Sequence, residues 1–419
     1  MPGRPASAAV SRVLAVWEMG ANMGHIDRML VNARALRRRG HQVTFLLRDV
    51  SRAYARVVAD GFRLGQAPVW LPQMANPPRL GNYTSVLAAA GWLDPPGVAA
   101  LVCAWRTAFD LLQPDVLIAD HAPTALLAAR GRLGTVWAVG NSFELPPPGP
   151  LFPPMAWWDA TAAARCADDD ARLLHSTQQA LALLGDEPLP RLTALFEPVH
   201  KALTALPELN HYGDYPADFA QPGASYIGDS GVAPAWPDGS GRRAFVYLSP
   251  THPDFRAVIA ALQAQGWRAL VHAAGLSDEA AARLGGRGVR FERLPVQTDA
   301  AVAAADVVIS HASLGVVCAA ALAGKPQLWL PGHMEQMMVA RRAEQAGVGL
   351  VAAAGTSAAA FGQLLRRLVD TPTHGMAAAA LAQRRQDWRP ERTGERLADL
   401  IEATLQKSRP ISAADNCGR

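Results

Sequence analysis

One stretch, Ala305 to Leu350, narrows the architectures open to this chain more than any other. It begins with Asp306-Val307-Val308-Ile309-Ser310, a short apolar run rich in β-branched residues, which predicts a parallel strand buried on both faces. His311 stands at the carboxyl end of that strand. The small residues Ala312-Ser313-Leu314-Gly315 then make a turn, a helical run covers Val316 to Ala323, and Gly324-Lys325-Pro326 stops it. Gln327 to Leu330 reads as the next strand, and Pro331-Gly332-His333-Met334-Glu335-Gln336 as the loop leaving it. A strand, a tight turn and a helix N-terminus form an anion site, because the first-turn N–H groups lack helical partners. His311 adds a donor where a diphosphate would lie, and Glu335 and Gln336 offer a carboxylate and an amide suited to sugar hydroxyls. Local pattern alone also accommodates a structural βαβ unit with an incidental histidine.

A chain of 419 residues is too long for one ordinary core and predicts two domains, of about 200 residues each by usual domain sizes. Half of the residues are apolar and 18% are charged, a composition that argues against extensive disorder. No apolar run approaches the roughly 18 residues of a membrane span. Val13 to Trp17 follows Arg4 and Arg12 but is too short for a signal-peptide apolar segment, so the expected location is the cytoplasm. Cys103, Cys166, Cys318 and Cys417 show no metal spacing and are expected as buried free thiols. The net charge of +4 comes from arginine more than lysine. Arg37-Arg38-Arg39 and Arg341-Arg342 read as solvated helix faces, suited to weak peripheral attraction to the anionic inner face of a membrane. Nothing points to nucleic-acid binding.

The chain opens with a strand over Val13 to Trp17, a loop Glu18 to His25 containing Gly20 and Gly24, and a helix carrying Ile26, Met29, Leu30, Ala33 and Leu36 on one face. Gly40-His41 ends that helix and Val43 to Leu47 is a second strand, which makes a βαβ opening without the G-x-G-x-x-G fingerprint. A short helix around Val57, Val58 and Phe62 is followed by a loop-rich stretch, Pro68 to Pro96, whose Trp70, Tyr83 and Trp92 are candidates for lining an acceptor cleft, although core packing is the commoner use of tryptophan. Further helices are expected over Val98 to Leu112 and Met155 to Leu184, with strands over Val116 to Ala119 and Val136 to Val139 and a proline-rich loop over Gly140 to Pro154.

The second half starts at Ala244 to Leu248 (strand), continues through Pro253 to Gln265 (helix), Ala269 to His272 and Val289 to Phe291 (strands), and ends in helices from Ser357 onward. Asp229 to Gly241 reads as a linker.

The block around His311 resembles the donor-binding signature of family one glycosyltransferases, the UDP-sugar-dependent enzymes of GT-B fold. His311, Gly315, Gly324, Pro326, Pro331, Glu335 and Gln336 fall at the family's intervals, and Pro295 stands 16 residues before His311, where the family has its base-binding proline. Gly24-His25 and Gly40-His41 are similar to the pairs that enter and leave the family's first helix. The resemblance implies an α/β protein with two Rossmann-like doubly wound domains facing a central cleft. It divides the chain into an acceptor domain over 1–230, a donor domain over 231–390, a returning C-terminal helix over 391–407 and a tail over 408–419. Ser225-Tyr226-Ile227-Gly228 resembles the strand closing the first domain.

By the same resemblance His25 is the catalytic base and Asp120 its carboxylate partner, through which the imidazole tautomer is fixed. His121 is a rival whose side chain is expected on the other side of the strand end. Diphosphate contacts fall on His311, Ser313, Leu314 and Gly315, nucleobase contacts on Arg293, Leu294, Pro295 and Val296, sugar contacts on Glu335 and Gln336, and a further donor loop on Ser249 and Thr251. The implied reaction is an inverting, metal-independent transfer, with no cofactor beyond the co-substrate, from a UDP- or dTDP-sugar to a hydroxyl of a small-molecule or lipid-like acceptor.

Several family positions are not met. Ala319 stands for a glutamate that binds ribose, Val316 for a Ser or Thr on a phosphate, Arg293 for the aromatic that stacks on uracil, and Val296 for a glutamine. Ser249-Pro250-Thr251-His252 replaces a Ser-x-Gly-Ser/Thr loop. A non-catalytic GT-B partner or ligand-binding protein is the alternative these losses raise, and an epimerase or hydrolase on the same fold is another.

Overall fold

The computed structural model describes residues 10–20, 23–72, 76 and 79–408; Arg4, Cys417 and the tail from 409 lie outside the described residues. The chain forms two compact units. The first gathers the described residues of Met1–Thr204, Tyr215–Ser225 and Pro390–Arg419; the second comprises Ala205–Asp214 and Tyr226–Arg389.

The sheet of the first unit contains β1 (Arg12–Trp17), β2 (Gln42–Leu47), β3 (Arg63–Gln66), β4 (Val116–Asp120), β5 (Val136–Gly140), β6 (His200–Leu203) and β7 (Phe219–Ala220), in the order β3-β2-β1-β4-β5-β6-β7. Every pairing is parallel. Apart from Arg12 at the start of β1 and Asp120 at the end of β4, the central strands β1, β4 and β5 are apolar or glycine, as suits strands of a parallel sheet covered on both faces. The order reverses between β1 and β4, whose register sets Trp17 beside Asp120 at their carboxyl ends.

The second unit repeats the plan with β8 (Arg243–Tyr247), β9 (Arg268–His272), β10 (Val289–Glu292), β11 (Val307–Ser310), β12 (Gln327–Trp329) and β13 (Gly349–Val351), ordered β10-β9-β8-β11-β12-β13. All of these pairs are also parallel, and the reversal lies between β8 and β11. Both units are therefore doubly wound α/β structures, and each places a crevice beyond its switch point.

Several expectations need correction. Ser225 to Gly228 is not a strand; the first sheet grows instead through β6 and β7, which carry too few apolar residues to announce themselves. Ala205–Asp214, inside the stretch read as the first domain, packs with the second unit. The loop-rich region holds helices at Tyr83–Leu87 and Pro95–Leu112, and Tyr83 and Trp92 are core residues that line no open surface. Trp70 lies flat against Gly91 and Gly97, where an added Cβ would come within 2.3 Å of its ring. Cys166 and Cys318 are buried free thiols, but Cys103 is exposed. Among the described residues no single helix is long and apolar enough to cross a membrane.

The C-terminal helix, Pro390–Ser408, packs against the first helix, Gly24–Arg38, within the first unit. Arg39 fixes it by donating to Glu395 (2.8 Å), Asp399 (2.6 Å) and Glu402 (2.9 Å). His41 links the same helix to the start of β1, accepting from Ser11 N–H at 3.2 Å and bonding Glu402 at 3.0 Å. The basic run read as a solvated face is thus partly spent on this clasp. Close approach of the two helices depends on Gly394, where a Cβ would lie 2.7 Å from the Val31 carbonyl oxygen. Gly394→Val should separate them and lower unfolding stability by about 1–3 kcal/mol, the usual penalty of overpacking, measured by denaturant titration.

Candidate functional site

At the switch point of the first unit four charged or titratable side chains meet in a buried cluster. His25 lies in the first turn of the helix after β1, and Asp120 is the last residue of β4. Arg28 is one helical turn beyond His25, on the same face. Glu144 follows β5 in a turn that Asn141 builds, its Oδ1 accepting from Phe143 N–H (2.8 Å) and Glu144 N–H (3.3 Å).

His25 Nδ1 lies 2.7 Å from Asp120 Oδ1 and 3.5 Å from Glu144 Oε1. Arg28 donates through Nε to Asp120 Oδ2 (2.7 Å) and through Nη2 to Asp120 Oδ1 (2.6 Å) and Glu144 Oε2 (2.7 Å). With carboxylates facing Nδ1, the proton belongs on that nitrogen, and Nε2 is left as the lone-pair atom. The ring is sandwiched between Trp17 (centroids 5.1 Å) and His121 (5.8 Å).

His121 therefore shares the site with His25, contrary to the alternation expected of a strand. Its backbone turns to φ +44 as β4 ends, and a left-handed residue does not follow strand alternation. Burial, with His25 as a positive neighbour, pushes the His121 pKa down to about 3, so it stands neutral beside His25.

The electrostatics follow from burial set against charge. For Asp120 burial favours the neutral acid, but Arg28 and His25 overcome it and hold the carboxyl at about 2. For His25 burial lowers basicity, yet Glu144 and then Asp120 outweigh it and raise the imidazole above its ordinary value. Glu144 is raised by burial, with Arg28 and His25 opposing. His25, His121 and Glu144 present atoms within 4.8 Å of one another, a spacing that could hold a cation. The Arg28 guanidinium already fills that place, 3.1 Å from His25 Nδ1.

Gly20 guards the other edge of the imidazole. It adopts φ +89, and a Cβ there would stand 2.5 Å from His25 Nε2, where an incoming hydroxyl would need to be. Neighbouring Glu18 has a separate job: its carboxylate accepts from Thr124 N–H (3.0 Å) and Ala125 N–H (3.3 Å), capping the helix Pro123–Ala129. Burial raises its pKa to about 7.

In the second unit the candidate donor residues follow the carboxyl ends of β8, β10, β11 and β12. His311 leaves β11 and its ring lies 5.6 Å from that of Tyr247 at the end of β8. Ala312 makes the turn at φ +66, Ser313 is the N-cap, and Leu314–Leu322 is the helix, with Ser313, Leu314 and Gly315 all half-buried. Burial first, and the nearby His333, drive the His311 pKa down to about 4, so it is a neutral donor. Ser249 and Thr251 bond each other (2.8 Å) in the exposed loop after β8. Glu335 and Gln336 occupy the first turn of Met334–Gln345, and Gln336 Oε1 accepts from Gly332 N–H at 2.8 Å.

The nucleobase segment divides. Arg293 is ion-paired with Asp278 at 2.5 Å, and Leu294 beside it is exposed. The Pro295 carbonyl is taken by Val232 N–H (2.8 Å), and the Val296 side chain is in the core, which leaves only its backbone for a ligand. Val316 and Ala319 are likewise buried, in an apolar cluster with Phe245, Val302 and Val308. Position 319 thus faces apolar neighbours, and the ribose contact expected from the resemblance has no counterpart there. Ala319→Glu should lower the thermal midpoint markedly, because a carboxylate would be buried without a partner, and calorimetry of the free protein checks this. Gly20→Ala should leave folding of the second unit intact but block approach to Nε2; measured turnover should fall while nucleotide affinity stays.

The residues that sequence reasoning missed are Arg28 and Glu144. Arg28 lies off the apolar stripe of its helix, where an arginine reads as solvated, and Glu144 is a carboxylate within a proline-rich loop, so neither announces itself.

No protein-family model matches this sequence, and no curated protein matches it. Solved structures do. The glycotransferase of kitacinnamycin is 18% identical over 95% of this chain and 100% of its own, with a TM-score of 0.71. CalG4, the calicheamicin glycosyltransferase, is 19% identical over 96% of this chain and 100% of its own, also at 0.71. The spinosyn rhamnosyltransferase SpnG, complexed with thymidine diphosphate, is 20% identical over 94% of this chain and 99% of its own, at 0.61. At these identities the likeness establishes the fold, the two-sheet α/β arrangement of GT-B proteins.

Proposed function

We propose that this chain transfers a sugar from a nucleoside diphosphate sugar to a hydroxyl of a small-molecule acceptor, with inversion and without a metal. The observation that carries the reading is the His25–Asp120 contact of 2.7 Å at a switch point, with Nε2 turned toward the space Gly20 leaves open. His25 Nε2 takes the acceptor proton as the acceptor oxygen bonds to the anomeric carbon. The bond from that carbon to the diphosphate oxygen breaks in the same displacement, and the diphosphate departs with the electron pair, which inverts the centre. His311 and the N–H groups of Ser313, Leu314 and Gly315 would meet the diphosphate charge. Glu335 and Gln336 would hold sugar hydroxyls.

A ligand-binding module has no use for a buried, raised imidazole held by a carboxylate, and this argues for the enzyme over the non-catalytic alternative. The apolar burial of Ala319 favours a deoxynucleotide donor over UDP, since no ribose carboxylate extends from that helix. The SpnG complex with thymidine diphosphate is in keeping with this choice.

The test combines calorimetry with UDP and dTDP and a nucleoside diphosphate release assay on a panel of hydroxylated aglycones. His25→Ala should lower turnover by about 10²–10⁴-fold and leave dTDP affinity unchanged. His311→Ala should weaken the diphosphate and the intact nucleotide sugar alike. Wild-type turnover in the His25 variant would remove the base, and equal affinities in the His311 variant would remove the phosphate site.

A further inference from the structure

Resting on the reading of His25 as general base, we propose that Glu144 and Arg28 are positioning residues that set its basicity, Glu144 as a second carboxylate and Arg28 as the charge that limits it. Burial raises the Glu144 pKa, but its hydrogen bonds favour the carboxylate. Its Oε1 accepts from Asn141 Nδ2 (3.0 Å), and its Oε2 accepts from Asn141 N–H (3.0 Å) and Arg28 Nη2 (2.7 Å). Three donors on one carboxylate favour its ionised form. Gly140 keeps the space, since a Cβ there would sit 2.3 Å from Glu144 Oε2.

The charges then count simply. Asp120 and Glu144 contribute two negatives, Arg28 one positive, and a neutral His25 leaves the cluster one positive short. A proton taken up at Nε2 makes the ring cationic and restores neutrality, with Nδ1 of the same ring 3.5 Å from Glu144 Oε1 and 2.7 Å from Asp120 Oδ1. Asp120 alone would be cancelled by Arg28, and a buried imidazole would then resist protonation. Without Arg28 the two carboxylates would confront each other, and one would hold a proton in place of His25 or bind the imidazolium too tightly to release it.

The groups facing the imidazole are Arg28 from its own helix, Asp120 and His121 from the end of β4, and Glu144 from the turn after β5; Trp17 from β1 supplies an uncharged face. His121 stays neutral through the range in which His25 titrates. The two substitutions therefore act on His25 with opposite signs. Removing a negative neighbour destabilises the imidazolium, and removing a positive one stabilises it.

The experiment is a ring-proton NMR titration of the whole protein labelled at histidine, with the His25 signal assigned by its loss in His25→Gln. Glu144→Gln should move the His25 midpoint down by about one to three pH units, to below the ordinary imidazole value near 6.5, because burial and Arg28 are then opposed by Asp120 alone. Arg28→Met should move it up. A site that merely loosens would bring both variants to the ordinary value, and that outcome overturns the proposal, as does an unchanged midpoint in Glu144→Gln. Glu144→Asp, which keeps the charge, should retain a raised midpoint and identifies a loss of fold if it does not bring back native-like signals where Glu144→Gln lacks them. The titration needs no substrate, so it stands if the chain proves to transfer nothing; failure of the transferase reading shows instead as wild-type activity in His25→Ala.

Discussion

Parallel strands send every outgoing loop to the same edge of a sheet, and where the winding reverses two neighbouring loops part and leave a crevice. This chain uses that constraint twice. In the first unit the reversal falls between β1 and β4, and the residues leaving those strands are His25 and Asp120. In the second it falls between β8 and β11, which deliver the Ser249–Thr251 loop and the His311 turn. The apolar strands have no other task than to hold those edges still, which is why both sheets are buried nearly to the last residue at their centres.

Charge buried at such an edge is stable only if it is paired. Arg28 and Asp120 are each buried, and separating either from its partner would leave an ion in apolar surroundings, a change that typically costs about 3–5 kcal/mol. The pair therefore makes a firm anchor at the end of β4 and orients the imidazole resting against it. Glu18 shows the other solution to the same problem. Its carboxylate is met by uncharged donors, backbone N–H groups and the side chains of Thr124 and Trp105, and burial raises it to about 7. Its folded-state pKa lies above its unfolded value, so its contribution to stability is complete at acid pH and declines as pH rises toward 7.

The sequence made legible what is local. Long apolar strands, the Gly-His entrance to the first helix, the turn after Ser310 and the capped helix from Ser357 all arise from neighbours in the chain, and the structure has each of them. What it concealed depends on distance. Arg28 and Glu144 are 116 residues apart and meet only because β5 lies beside β4. The short strands β3, β6 and β7, at or next to the edges of the sheet, carry no clear period, since strands of a few residues gain their structure from the pairing itself. Tyr83 and Trp92 looked like surface aromatics because proline-broken composition suggests a loop, yet the helices around them turn both rings inward. Ala319 was legible as a departure from the motif, and its burial in an apolar cluster with Phe245, Val302 and Val308 emerged only in the fold.

The two edges also differ in how they handle protons. The first is dry, paired and one charge from neutrality, an arrangement in which a proton arriving at His25 is welcomed by carboxylates already in place. The second presents a histidine that burial keeps neutral down to about pH 4, next to backbone donors that do not titrate at all. If that turn meets a phosphate as proposed, its backbone N–H groups would supply a part of the positive face that does not depend on pH. In the first unit two buried groups are moved toward or within the neutral range, the Glu18 carboxyl to about 7 and the His25 imidazole above its ordinary value, and for His25 the neighbouring charges set the point at which it changes.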